Sequence, residues 1–218
     1  GVSANPHIDT SSYLILCYTL IARGANALAE TPPSEAPHLA QNAHFFVELG
    51  LDLLTTALRR SRFDIHDEAT VSKLLPLVKA VGETLYARNA PVVERGLRAV
   101  AALARCPLPN LDETLPVMQK QMLLLLRHAG GIHSSMAQTT LRSLSVVLRE
   151  GRARAPPARQ LTELLNLVSS ELDAPDAQTS VFALLRAIVS RAFVVPEIYD
   201  VMDRIAELLV TSHDAQVR

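Results

Sequence analysis

The sequence predicts an all-α fold built from stacked antiparallel helix pairs, and three observations carry that reading. One apolar pattern recurs: Leu74, Leu77, Val78, Val81 and Leu85 stand at offsets 0, 3, 4, 7 and 11, and the same offsets return at Leu161, Leu164, Leu165, Val168 and Leu172, then at Ile198, Val201, Met202, Ile205 and Leu209. Leu115, Met118, Met122 and Leu126 form a fourth copy, broken by polar Gln119. These offsets share one face of a 3.6-residue helix. The intervening segments carry a second pattern at offsets 0, 3, 4 and 7, as in Leu97, Val100, Ala101, Ala104 and in Val181, Leu184, Leu185, Ile188, with Leu141, Leu144 and Leu148 interrupted by Ser145. The copies of the first pattern start at a mean step of about 41 residues, inside the window of roughly 40–47 for HEAT and armadillo repeats. One helix pair of that size cannot cover its own apolar face, whereas stacked copies can. The expected architecture is therefore an α-solenoid of HEAT-like pairs, about four to five repeats wound as a right-handed superhelix.

Taken in order, the first helix is expected at about 11–29, with Leu14, Cys17, Tyr18, Ile21 and Ala25 at the repeated offsets. The Pro-rich segment 31–38, with Pro32, Pro33 and Pro37, excludes a helix interior and reads as an exposed loop. Its partner helix follows at about 39–60, with Val47, Leu51, Leu54 and Leu58 facing inward. Helices are then expected at about 68–87, 91–105, 111–128, 134–149, 158–172, 177–191 and 196–211. These group as pairs 11–60, 68–105, 111–149, 158–191 and an incomplete 196–218, forming one continuous array over 1–218. Asp67 is placed to cap the third helix, and Asn110 with Glu113 has the spacing of a capping box. Gly130 and Gly131 end the helix before them. Pro91, Pro116, Pro157 and Pro196 fall near first turns, where a missing N–H costs little. Pro76 lies deeper and marks a late start or a kink.

Composition narrows the function classes. The chain has 218 residues, 49% hydrophobic and 4% aromatic, with no Trp and a net charge of −1, so bulk charge does not argue for nucleic acid and any such contact has to be a local patch. Cys17 and Cys106 lie in apolar helical stretches and read as buried free thiols, which fits a reducing compartment. The longest apolar run, 13–22, is too short for a membrane span, which needs about 20 residues. The start at Gly1 and the stop at Arg218 read as those of a piece of a longer solenoid.

No residue constellation suggests catalysis. The sequence has no nucleophile elbow, Walker loop or dinucleotide-binding glycine motif, and its seven histidines make no HExxH. His128 and His133 flank the Gly-Gly turn without a nearby thiol or carboxylate. The acidic group Asp64, Asp67 and Glu68 reads as a capped helix start with a solvated face. No metal, cofactor or small-molecule substrate is expected. The charge feature that stands out is LREGRARAPPAR, which places Arg149, Arg152, Arg154 and Arg159 on a helix end and its loop against Glu150 alone. Four guanidinium groups there suit phosphates of an RNA backbone or an acidic protein partner. The plainer reading is a favourable helix C-terminus and a solvated loop. Arg59, Arg60 and Arg62 form a second group at another helix end, weakened by Asp64 and Asp67 just after it. No aromatic residue is interleaved with either, so base stacking is not indicated.

The C-terminal third adds a resemblance. Its run from Phe182 to Arg218, with Leu185-Arg-Ala-Ile188, Ser190-Arg191, Val195-Pro-Glu-Ile198 and Val201-Met202, closely resembles the family of small-subunit processome component 20, the giant HEAT-repeat protein called DRIM in animals. Arg105-Cys-Pro-Leu-Pro109, the preceding VVERGLRAV, and Leu74-Leu-Pro-Leu-Val78 are similar to it as well, so the resemblance covers about 45–218. It implies a non-enzymatic nucleolar scaffold of small-subunit assembly that holds pre-rRNA, with snoRNA backbone also possible, and assembly-factor proteins. The alternative is a transport-receptor or trafficking solenoid that binds protein cargo. A register test follows from the second-helix pattern. Leu185→Asp places a charge on an inferred core face and should unfold the local pair, so helical circular dichroism and melting unchanged in that variant would refute the register.

Overall fold

The computed structural model describes residues 10–30, 36–60, 62–109, 111–150, 156–170, 172 and 175–211. Among these residues the regular structure is entirely α-helical: α1 (Thr10–Glu30), α2 (Pro37–Arg59), α3 (Glu68–Thr84), α4 (Ala90–Leu103), α5 (Leu111–His128), α6 (Ser135–Glu150), α7 (Ala158–Ser169), α8 (Pro175–Ser190) and α9 (Glu197–Thr211). The helix ends follow local chemistry. The Asp67 carboxylate accepts the Thr70 N–H at 2.9 Å, and the Asn89 side chain accepts the Val92 N–H at 3.1 Å. Ser134 Oγ accepts the Ala137 N–H at 3.1 Å at the start of α6. Each relieves a backbone donor that the first helical turn leaves unpaired. Pro37 opens α2, and after α5 the chain turns through Gly130 (φ 68°) and Gly131 (φ 135°), a left-handed geometry that glycine adopts without strain. Asn110 lies outside the described residues.

Two prolines sit deeper than expected. Pro76 lies inside α3, which neither starts late nor breaks there, and Pro116 lies in the second turn of α5 rather than the first. Each forgoes one intrahelical hydrogen bond. Pro76 points to solvent, so water can serve the carbonyl it leaves unpaired.

The helices pack as two compact units, Gly1–Thr114 and Leu115–Arg218. In the first, α1 packs on α2 and α3 on α4, while α1 also lies against α3 and α2 against α4. In the second, α6 lies against α8 and α7 against α9. In these four pairings a helix meets the helix two elements along, which is how a solenoid covers apolar stripes that a lone pair leaves bare. The repeated positions form these seams. Leu74, Leu77, Val78, Val81 and Leu85 are buried, as are Leu161, Leu164, Leu165, Val168 and Leu172, and the second-helix sets around Leu97, Leu141 and Val181. Burying each such aliphatic side chain contributes about 1.5–3 kcal/mol.

The pattern fails at a few positions. Tyr18 and Met202 occupy the offset at which Val78 and Leu165 are buried, yet they are 42% and 50% exposed. Ile205 and the inward-assigned Leu58 are half-buried. Gln119 departs in the opposite sense: it is buried, and its amide Nε2 has no hydrogen-bond partner among the described residues. Ser145, the other polar break, is buried with its hydroxyl donating to Arg142 O at 2.7 Å.

Polar contacts tie the stacked helices together. Arg95 of α4 reaches Glu48 and Asp52 of α2, each at 2.9 Å. Tyr13 of α1 donates its hydroxyl to Leu53 O of α2 at 2.9 Å. Between α6 and α8, fully buried Ser180 donates to Gln138 Oε1 at 2.5 Å and accepts from Arg142 Nε at 3.0 Å.

α1 and α2 approach each other closely at two glycines, one on each helix, each facing side chains and backbone of the other. A Cβ on Gly24 would stand 2.6 Å from Val47 Cγ2 and 2.8 Å from Ala43 O, and one on Gly50 would stand 2.9 Å from Ile21 Cγ1 and 3.1 Å from Cys17 O. Gly50→Leu should therefore push the helices apart and destabilise the chain by about 1–3 kcal/mol, read as a lower urea midpoint. An unshifted midpoint would mean that the crossing is looser than described.

Candidate nucleic-acid interface

Arg59 and Arg149 stand in the last turns of α2 and α6, where the helix dipole favours a cation. Arg59 closes α2, the Arg60 N–H bonds Thr56 O at 3.1 Å, and the Arg62 N–H bonds Ala57 O at 3.1 Å. Because α2 and α4 lie side by side, the turn after α4 comes to the same place and brings Arg105 with it. Arg59 and Arg105 line one cleft of about 470 Å³, together with Asp64 and His66, over Phe63 and Cys106. Arg59, Arg60, Arg62 and Arg105 are all exposed, and none makes an ion pair among the described residues.

The two acids expected to weaken this group keep their charge but form no ion pair with it among the described residues. Asp64 Oδ1 accepts the His66 N–H at 2.9 Å, and Asp67 Oδ2 accepts both the Thr70 hydroxyl at 2.8 Å and the Thr70 N–H at 2.9 Å. The hydrogen bonds from Thr70, side chain first and then backbone, hold the Asp67 carboxyl below the usual carboxylate range.

The Arg149 group has the opposite character where it is described. Arg149 grips Glu150 Oε1 through Nε at 3.0 Å and Nη2 at 2.8 Å. Arg159 stands 3.4 Å from Glu163 Oε1 at the start of α7, and Arg127 of α5 also pairs with Glu163. Arg152 and Arg154 lie outside the described residues. The structure thus brings Arg59, Arg60 and Arg62 together and adds Arg105, whereas Arg149 and Arg159 each rest on a carboxylate of their own. Arg105 escaped the sequence reading because it sits alone among apolar residues. Its signal was a spacing: Arg105 follows Arg59 by the same interval as Gly96 follows Gly50, and each glycine faces the first helix of its own pair.

No group of three or more His, Cys, Asp or Glu among the described residues is arranged to hold a metal ion. Both cysteines are free and buried. Burial pushes the Cys17 thiol up to about 11 and raises that of Cys106 as well. No helix among the described residues is long and apolar enough to cross a membrane.

Helices alone among the described regular structure, with apolar seams shared between alternate helices, define an all-α solenoid. Comparison of the sequence with known proteins adds a particular likeness. The chain is 23% identical over its whole length to U3 small nucleolar RNA-associated protein 20 of Schizosaccharomyces pombe, of which it spans 9%. It is 28% identical, over 78% of its length, to U3 small nucleolar RNA-associated protein 20 of Saccharomyces cerevisiae, of which it spans 7%. These relatives bear out the resemblance to processome component 20 that the Val195-Pro-Glu-Ile198 region and its neighbours carry. No family model matches the chain.

The Asp67 cap gives a pH test. A carboxyl held low in the folded chain contributes stability that is fully present above its unfolded value of about 3.9 and is lost as pH falls through the lower folded value. Asp67→Ala should lower the melting midpoint at neutral pH, and its deficit should narrow as acid protonates the wild-type carboxylate. A deficit that is the same at every pH would show that the charge contributes nothing.

Proposed function

We propose that this chain is part of a non-enzymatic structural scaffold of small ribosomal subunit assembly. In this reading it works in the nucleolus, within the small-subunit processome, and holds pre-rRNA and assembly-factor proteins during pre-rRNA processing. The observation that carries the proposal is the similarity over the whole chain to a U3 small nucleolar RNA-associated protein. The mechanism is positional. Stacked helix pairs over 1–218 act as one array that keeps loops and helix ends at fixed intervals, and those ends engage RNA backbone and protein surfaces. No residue is asked to make or break a bond, and no cofactor, small-molecule substrate or membrane takes part. The arginines at 149, 152, 154 and 159, and those at 59, 60 and 62, are the candidate contacts.

Crosslinking followed by RNA sequencing on the tagged full-length protein tests this directly. Small-subunit pre-rRNA should be enriched, and Arg152→Glu with Arg154→Glu should reduce crosslinks within this segment if that loop touches RNA. Absence of pre-rRNA would overturn the assembly reading.

A further inference from the structure

The stacked ends of α2 and α4 hold positive charge that the fold does not use for itself. Arg95, one turn into α4, spends its guanidinium on Glu48 and Asp52. Arg59, Arg60, Arg62 and Arg105 have no such partner among the described residues; Asp64 keeps its negative charge in the same cleft while accepting the His66 N–H, so the lining sets two guanidinium groups against one carboxylate. We propose that the cleft between the C-terminal ends of α2 and α4 is a binding site for RNA phosphodiester backbone. Arg59 and Arg105 hold the phosphates from the two sides of the cleft, His66 stands on its wall, and Arg60 and Arg62 extend the charge along the edge.

The chemistry of the surface selects the ligand class. A protein partner needs an apolar anchor at the centre of its interface. The large apolar side chains that stand exposed, among them Ile15, Phe45, Val117 and Tyr199, lie elsewhere, while Phe63 and Cys106 under the cleft are buried. Nucleic-acid backbone needs no such anchor, because charge and counterion release alone carry the binding. The planar fork of arginine suits phosphate oxygens, and two forks from different helices give the contact a direction along the edge. The His66 imidazole is the one exposed ring lining the cleft among the described residues, too little for a run of stacked bases, so binding should depend only weakly on sequence.

The proposal rests on the reading of the chain as a contact surface for RNA, and it moves the principal contact to the α2–α4 edge. The test is fluorescence anisotropy of the full chain with a labelled uridine homopolymer across a salt series. Four phosphate contacts on a single strand should give a slope of log affinity against log salt of about −3. Arg59→Glu with Arg105→Glu should weaken binding at least about tenfold and flatten the slope by about 1.4 or more. The milder pair Arg59→Gln with Arg105→Gln, whose helical circular dichroism should match wild type, should weaken it in the same direction. Binding that survives both edge pairs but falls in Arg149→Glu with Arg159→Glu would overturn the cleft and leave the RNA reading standing. A wild-type chain that ignores the RNA but binds polyglutamate, and loses that binding in the edge pairs, would overturn the proposal in favour of an acidic protein partner. A wild-type chain that binds neither would overturn the proposal together with the reading that the chain itself contacts RNA.

Discussion

Most helices among the described residues carry more apolar surface than one partner can cover, and the helix two elements along meets the rest. The pairings α1 with α3, α2 with α4, α6 with α8 and α7 with α9 all answer that need. The requirement sets the offsets, because only positions on the shared face can serve both a partner and a neighbour. It also sets the small residues. Gly24 and Gly50 let α1 and α2 approach closely enough for Val47 and Ile21 to be buried with almost no exposure.

The same requirement empties the middle of the protein of chemistry. Side chains along the seams are mostly aliphatic, and several polar ones among them are bonded locally, as with Ser145, or across a seam, as with Ser180, Gln138 and Arg142, while Gln119 keeps its Nε2 unpartnered among the described residues. Charge is kept to outward helix faces and helix ends, and at the ends unpaired carbonyls and N–H groups attract it with opposite signs. Stacking then multiplies whatever an end carries, because α2 and α4 end at the same edge. A basic residue that is unremarkable on one helix becomes half of a site beside its counterpart on the next. Arg59 and Arg105 are such a pair.

Most of the fold was legible in the sequence because its determinants are local and periodic. The nine helices among the described residues begin and end within about three residues of the expected positions, since caps, glycines and apolar offsets all act over one or two turns. Periodicity could not say which sides of a helix would find a cover. Tyr18 and Met202 obey the pattern yet face solvent, while Gln119 breaks it yet is buried. The arginine groups were legible as clusters, but their relative standing was not. That depended on where particular carboxylates turn, and Asp64 and Asp67 turn to the backbone while Glu150 and Glu163 turn to the arginines. Arg105 required knowing that α2 and α4 end together, a fact of tertiary structure rather than of sequence neighbourhood.

The two thiols have a practical side. The sequence contains two cysteines, and Cys17 and Cys106 are both enclosed in the apolar seams with their ionisation pushed up by burial. Thiolate is the form that reacts with maleimides and disulfides, so the folded chain offers such reagents almost nothing at neutral pH. A single cysteine introduced on an exposed helix end would then be the one addressable atom on the surface. Probes and crosslinkers could be placed along the edges one at a time, with no need first to strip out the native residues that hold the core.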